Sequence, residues 1–168
     1  MRPPSGMTEI SLGGVSLAEV VLLAQAVASG AMCGLIWFVQ VVHYPLFASI
    51  TGAGSREHAI ENQRRTGPVV IPFMAVELAA AAALAVWPPA GVGRGAALVG
   101  LALIAVIWLS TFFVQVPLHG RLARDGHSAA VVDSLVRSNW IRTIAWTARA
   151  ILAVWMLRAA VTCPSPTP

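Results

Sequence analysis

Glu77 and Arg149 each interrupt an otherwise uncharged apolar run of this sequence, and His43 and His119 each close another. An ionisable side chain in mid-membrane costs about 2.5–3.5 kcal/mol on insertion scales, so such a residue points to a task. A carboxylate and a guanidinium can neutralise one another, and a guanidinium can hold a developing oxyanion. Imidazoles can move protons near neutral pH, ligate a haem axially, or hold a metal. Glu77 lies nine residues after Pro68 and Arg149 seven after Arg142. At ~1.5 Å per helical residue these are depths of ~13 and ~10 Å. The match predicts a Glu77–Arg149 pair, either as part of a site or as a buried ion pair that sets helix register.

Polar residues recur around these four at helical spacing. Asn139, Arg142, Trp146 and Arg149 follow steps of 3, 4 and 3, and Trp108, Thr111, Gln115 and His119 follow steps of 3, 4 and 4. Ser29, Cys33, Gln40 and His43 share a face, as do Thr66, Phe73 and Glu77. Each group is costly against lipid, so the stripes are expected to face one another. Trp37, Trp108 and Trp146 lie on or near them, where they suit either core packing or the wall of a pocket for a flat aromatic ligand. The predicted catalytic residues are His43, His119, Arg149 and Glu77. The predicted substrate-binding residues are Gln40, Gln115, Asn139, Arg142, Trp108 and Trp146. His58 and Glu61 are ligand types at i,i+3, but Glu61 precedes Arg65 by four, which a helix salt bridge explains. His127 reads as a solvated loop residue. No metal site and no cofactor are assigned; haem or metal on His43 and His119 stands as a third alternative.

The elements that must carry these stripes follow from composition. Of 168 residues, 57% are hydrophobic and 11% charged, less than half the charged share of an average soluble domain, about 25%. This excludes an ordinary soluble domain and a disordered chain. All eleven basic residues are arginine, and the net charge is +4. No basic run or aromatic–basic stripe suits nucleic acid, so that partner is excluded. Cys33 and Cys163 form no CxxC, which argues against a thiol relay or a zinc ribbon.

Spans are predicted at about 20–43, 68–87, 95–118 and 143–161. Residues 17–161 form the transmembrane domain, 1–16 a flexible N-terminus and 162–168 a flexible tail. The first apolar run is too long for a signal-peptide core and is read as retained. Pro88, Pro89, Gly91 and Gly93 punctuate a hairpin between spans two and three. Residues 56–65 and 128–138 lack Gly and Pro and read as amphipathic helices that lie at the interface or feed the next span. Gly30 and Gly34 read as a helix-packing pair. The two longer loops hold Arg56, Arg64, Arg65, Arg121, Arg124, Arg137 and Arg142, against Arg2, Arg94 and Arg158 on the other side. The arginine excess places both longer loops in the cytoplasm and both termini outside.

The sequence also repeats itself. Phe38-Val39-Gln40-Val41 recurs as Phe113-Val114-Gln115-Val116, each followed closely by a His, and Asn62-x-x-Arg65-Thr66 recurs as Asn139-x-x-Arg142-Thr143. The offsets, 75 and 77, predict two parallel pseudo-repeats of span, interfacial helix and span. The fold class is therefore all-α: an integral membrane four-helix bundle.

Val116-Pro117-Leu118-His119 followed by Asn139-Trp140-Ile141-Arg142-Thr143 resembles the second half of the anthrone oxygenase-like membrane proteins. Tyr44-Pro45-Leu46-Phe47 and residues 62–68 resemble its first half less closely, and the resemblance covers about residues 17–160. The residues that match the family pattern are Pro45, Pro117, Asn139, Arg142 and Thr143; His119 stands where many members have Asn, and His43 precedes the Tyr-Pro. The resemblance implies a four-helix bundle in a bacterial inner (plasma) membrane. It implies an activity through a few fungal members, which oxidise anthrones to anthraquinones with O₂ and no obvious cofactor. The leading expectation is thus an intramembrane pocket for a flat, apolar, phenolic or quinone-like molecule, with cofactor-free oxygenation as its chemistry. A structural or accessory protein, or a small proton-coupled transporter that titrates Glu77, is the alternative. Lipid and a hydrophobic small molecule are the expected partners.

Overall fold

A computed structural model describes residues 11–12 and 15–163 of the chain; the expectations for the outermost residues of both termini lie outside the described ones. Four long helices dominate: α1 (Leu17–Phe47), α2 (Ser55–Val86), α3 (Arg94–Asp125) and α4 (Ala129–Thr162). All four are long and apolar enough to cross a membrane, which makes this an integral membrane protein. Ser11–Leu12 pairs antiparallel with Val15–Ser16 just ahead of α1. Ser16 then caps α1: its Oγ accepts from the Glu19 amide at 3.2 Å, and Glu19 accepts from the Ser16 amide at 2.8 Å. This reciprocal capping box starts the helix three residues ahead of the predicted span.

The helices run up, down, up and down around a square. Neighbours in sequence pack together, α4 closes against α1, and α1/α3 and α2/α4 lie on the diagonals. The α1–α2 and α3–α4 loops meet at one end, where Ser55 Oγ accepts from the His127 amide at 3.1 Å and Arg56 Nε donates to the Ala123 carbonyl at 3.0 Å. The α2–α3 hairpin and the end of α4 share the opposite end. Val27, Phe113, Ile144, Ile151 and Val161 point outward with about two-thirds or more of their surface exposed, as a lipid-facing surface requires.

Of the two arrangements expected for the polar helical segments, the structure shows the one in which they feed the next span. Residues 56–65 run without a break into the second span, and residues 129–138 into the fourth. Pro68, read as the start of a span, lies inside α2 together with Pro72. Each proline removes one backbone donor and crowds the carbonyl four residues back, yet the helix continues, as membrane helices tolerate. Glu61, bonded to both Arg64 and Arg65, supports the turn just upstream.

Two irregularities position the polar residues. Val39–His43 in α1 and Thr111–Gln115 in α3 form single π-helical turns, closed by bonds from Tyr44 N to Val39 O and from Val116 N to Thr111 O. Each turn lies directly ahead of a proline, Pro45 or Pro117. A π turn inserts one extra residue and so re-aims every side chain beyond it. In consequence Tyr44 faces the core and His43 is only half-buried, a shift the regular helical spacing of the sequence did not show.

Close backbone approach occurs away from Gly30 and Gly34, which face outward with nothing within 4 Å of where a Cβ would stand. It occurs at Gly91 in the hairpin, whose φ is +78° and whose added Cβ would run into the Ala159 carbonyl of α4. Both the left-handed conformation and the contact require glycine there. Gly91→Ala should therefore destabilise the protein by about 1–3 kcal/mol. Gly95→Ala, on an open helical surface, should be neutral or slightly stabilising. Unfolding in detergent measures both.

Candidate functional site

The predicted polar stripes do converge, but as two layers at different depths. In the deeper layer Glu77 and Arg149 are fully buried, with Arg149 Nε 3.9 Å from Glu77 Oε1. The pairing expected from their depths is present, though loosely. The carboxylate's closest partners are elsewhere: Ser29 Oγ donates to Oε1 at 2.6 Å and Trp146 Nε1 to Oε2 at 2.8 Å. Arg149 Nη2 donates to Gln25 Oε1 at 2.8 Å, and its Nε has no hydrogen-bond partner. The guanidinium lies over Gly100 of α3, where any Cβ would strike Nη1. These groups reach across the α2/α4 diagonal through the middle of the bundle.

The shallower layer lies nearer the loop end. Tyr44 Oη takes an Arg142 Nη2 bond at 3.1 Å, and lies 2.9 Å from His119 Nε2 and 3.2 Å from Gln115 Oε1. Arg142 is anchored from behind: Asn139 Oδ1 accepts from its Nε at 3.0 Å and from its Nη2 at 2.5 Å. Asn139 in turn donates to Gln40 Oε1 at 2.8 Å, and Gln40 donates to the Val136 carbonyl at 3.2 Å. Every member is thus held by another, which fixes the orientation of Arg142 and Tyr44 in a low-dielectric setting. Gln115 Nε2 is tied separately to Ser138 Oγ at 2.9 Å.

A cavity of about 590 Å³ opens beside this second layer, within the size range of small-molecule sites. α2 supplies one wall, from Asn62 to Met74; α1 and α3 supply the others, and α4 contributes Arg142 and Trp146. Most of the lining is apolar. Aromatic faces come from Trp108 and Phe112, whose rings lie 5.2 Å apart, and from Trp146, which also sits under the Arg142 guanidinium at 5.9 Å. The cavity's polar groups include His43, Tyr44, Thr111, Gln115, His119 and Arg142, with Asn62, Gln63, Arg65 and Thr66 from α2. Phe38, Val69, Ile71, Phe112 and Val116 line the cavity and are also more than half exposed on the outside of the bundle. The cavity therefore borders the lipid-facing surface directly.

Of the ten predicted site residues, His43, His119, Gln115, Arg142, Trp108 and Trp146 line this cavity. Gln40 and Asn139 stand behind Arg142, and Glu77 and Arg149 do not reach the cavity; only Trp146 connects the two layers. His43 and His119 do not act as a pair. His43 Nε2 bonds Asn62 Oδ1 at 2.9 Å, which makes Nε2 the donor and leaves Nδ1 with the lone pair. His119 Nε2 meets Tyr44, and its buried Nδ1 has no partner. A haem or metal on both Nε2 atoms would have to break both bonds. No group of three or more His, Cys, Asp or Glu gathers among the described residues. Trp37 lies outside the cavity, edge-on to Trp140 at 5.6 Å with its Nε1 bonded to Thr147.

Tyr44, the centre of the shallow layer, was not singled out from the sequence. A signal for it existed: it is the sole tyrosine, and the offset of 75 that aligns the Phe-Val-Gln-Val segments sets Tyr44 against His119. Asn62 belongs to the repeat and to the 62–68 stretch of the resemblance, neither of which gives it a place at the site. Comparison of the chain with protein-family models, with characterised proteins and with solved structures gives no match.

The deep pair has an energetic consequence. Removing one partner of a buried ion pair strands the other, at a cost of about 3–5 kcal/mol. Glu77→Gln should lower stability on that scale, and Glu77→Gln combined with Arg149→Met should recover much of it. Denaturant unfolding of the two single variants and the double variant in detergent checks the cycle; simple additivity would show that the pair does not interact.

Proposed function

We propose that this chain is an integral membrane protein that binds a flat, apolar, phenolic or quinone-like molecule in the cavity between α2 and the other helices, and that it oxidises this molecule with O₂ without a cofactor. The observation that carries the reading is a mostly apolar cavity beside the outer surface, with aromatic faces along it and Tyr44, His119 and Arg142 joined at one end. A lipid-soluble molecule can enter from the bilayer, stack on Trp108 and Trp146, and present its polar edge to those three groups. Membership of the anthrone oxygenase-like family belongs to the same proposal and rests on the short motifs around Pro45, Pro117 and Asn139.

The chemistry needs few parts. A base takes the proton from an activated CH₂ or from its phenol tautomer; His43, through its Nδ1, or His119, which Tyr44 holds by Nε2, is that base. Arg142 faces the charge that develops on the substrate oxygen. Tyr44 holds His119 and Arg142 in register. The carbanion adds O₂ to form a hydroperoxide anion, which takes up the proton, and loss of water leaves a new carbonyl. One CH₂ and one O₂ thereby become one C=O and one H₂O. Glu77 and Arg149, away from the cavity, act as positioning residues through Trp146.

We also read the two halves as parallel repeats. The support is that α1 and α3 each carry a π turn directly before a proline, and α2 and α4 each begin with a polar helical segment. The arginine excess favours a cytoplasmic loop end, and the resemblance a bacterial inner membrane. Cys163, exposed at the hairpin end, should then react with an impermeant maleimide in intact cells, whereas Gly54→Cys at the loop end, combined with Cys163→Ser, should react after lysis alone. The opposite pattern would invert the topology.

Oxygen uptake with a panel of quinols and anthrones tests the activity, on protein whose absorption spectrum and metal content have been recorded. His119→Ala should lower turnover by about 100-fold or more, the usual weight of a general base, with the fold retained. Unchanged turnover in His43→Ala, His119→Ala and the double variant would remove the oxygenase reading. A Soret band or stoichiometric metal would replace it with the haem or metal alternative.

A further inference from the structure

We infer that the cavity takes its ligand as an anion, with the buried Arg142 guanidinium as the counter-charge. The inference rests on the cavity being a ligand site, as proposed above, and names the charge of what fills it. Two arginines are buried in the bundle. Arg149 has Glu77 at 3.9 Å. Arg142, only 8% exposed, has no carboxylate within ion-pair distance among the described residues. Its partners are the amide of Asn139, the hydroxyl of Tyr44 and, at 3.5 Å, the hydroxyl of Thr111, all uncharged.

A guanidinium keeps its proton, so it does not shed this charge by becoming neutral. Burying it without an opposite charge costs several kcal/mol. The neighbours add no relief. The cavity is lined by Arg142, Arg65, His43 and His119, and by no Asp or Glu. Glu61, the acidic residue of the adjoining α2 turn, is already bonded to Arg64 and Arg65. Arg142 is therefore the one arginine of the lining without a carboxylate partner among the described residues, and an entering anion would supply the missing charge.

Donor accounting indicates where the anion binds and how much charge it carries. Nε and Nη2 of Arg142 are committed to Asn139 and Tyr44. Nη1 carries two N–H groups and makes one long bond, to Thr111, so at least one N–H is uncommitted. One free donor on the one guanidinium of the lining without a carboxylate partner, in a mostly apolar cavity, suits a singly charged carboxylate, phenolate or enolate with an apolar body. A phosphate, with more charge and more acceptors, would demand more donors. Such a lipophilic acid could be a free aromatic acid or a fatty acid from the bilayer.

The test uses the full chain in phosphatidylcholine nanodiscs, with empty discs as reference. Naphthoate, its neutral methyl ester and laurate are the probes, followed by equilibrium dialysis and by quenching of tryptophan fluorescence. Naphthoate should bind about tenfold or more tighter than its ester, the scale of one charge-assisted hydrogen bond. Arg142→Gln should bring the acid-to-ester affinity ratio close to one, and Arg142→Lys should keep part of the preference. Equal binding of acid and ester by the wild-type protein overturns the inference, whether or not the variants fold, and leaves the flat-ligand reading standing. An acid preference that survives in folded Arg142→Gln overturns it as well. Laurate binding that depends on Arg142, with neither naphthyl probe bound, supports the anion subsite and removes the flat-ligand reading. No binding of either anion overturns the inference.

Discussion

In a hydrocarbon surrounding a polar side chain has no water to turn to, so the buried polar groups here turn mainly to one another. Helix α4 imposes that demand most heavily. Asn139, Arg142, Thr143, Trp146 and Arg149 share one of its faces, and all are buried. Two guanidiniums and an indole N–H on one helix have to be met by acceptors from the other three. α1 answers with Gln25 and Gln40, α2 with Glu77, and α1 and α3 with the hydroxyls of Tyr44 and Thr111. The register of the bundle follows from these meetings, because its apolar contacts alone would tolerate sliding.

The two arginines of that face end in opposite situations. Arg149 is enclosed: Glu77 lies beside it, Gly100 makes room for it, and the cavity does not reach it. Arg142 is anchored on one side by Asn139 and open on the other to a cavity lined by basic and apolar groups. The first arrangement fixes structure; the second leaves a directed charge with capacity to spare. Trp146 joins them, since its indole bonds Glu77 while its ring forms cavity wall beneath Arg142. Trp146 is thus the predicted site residue that the deep pair and the cavity share.

The π turns show how helices aim such groups. A regular α1 would carry His43 inward with Gln40, on the helical period that relates the polar residues of the sequence. The extra residue in Val39–His43 turns Tyr44 inward instead, and the matching turn in α3 sets Gln115 and His119 against it. Both turns stand directly before a proline, where a helix has already lost a backbone donor. The distortion therefore costs least at the place where the side chains need to be re-aimed.

Much of this protein was legible in its residues. Four apolar runs, the convergence of polar stripes and the proximity of Glu77 to Arg149 all follow from two rules: spans need apolar length, and polar groups in lipid need one another. Those rules act along the chain and between faces of known period, so a sequence reading can apply them. What it could not supply was the division of the stripes into an enclosed pair and an open cavity. It also could not supply the central place of Tyr44, or the outward orientation of Gly30 and Gly34. Each of these depends on a break in helical period, or on which helices become neighbours around the square. Such features are decided when four helices pack at once, because a side chain's partner is then chosen by geometry across the bundle and not by spacing along one helix.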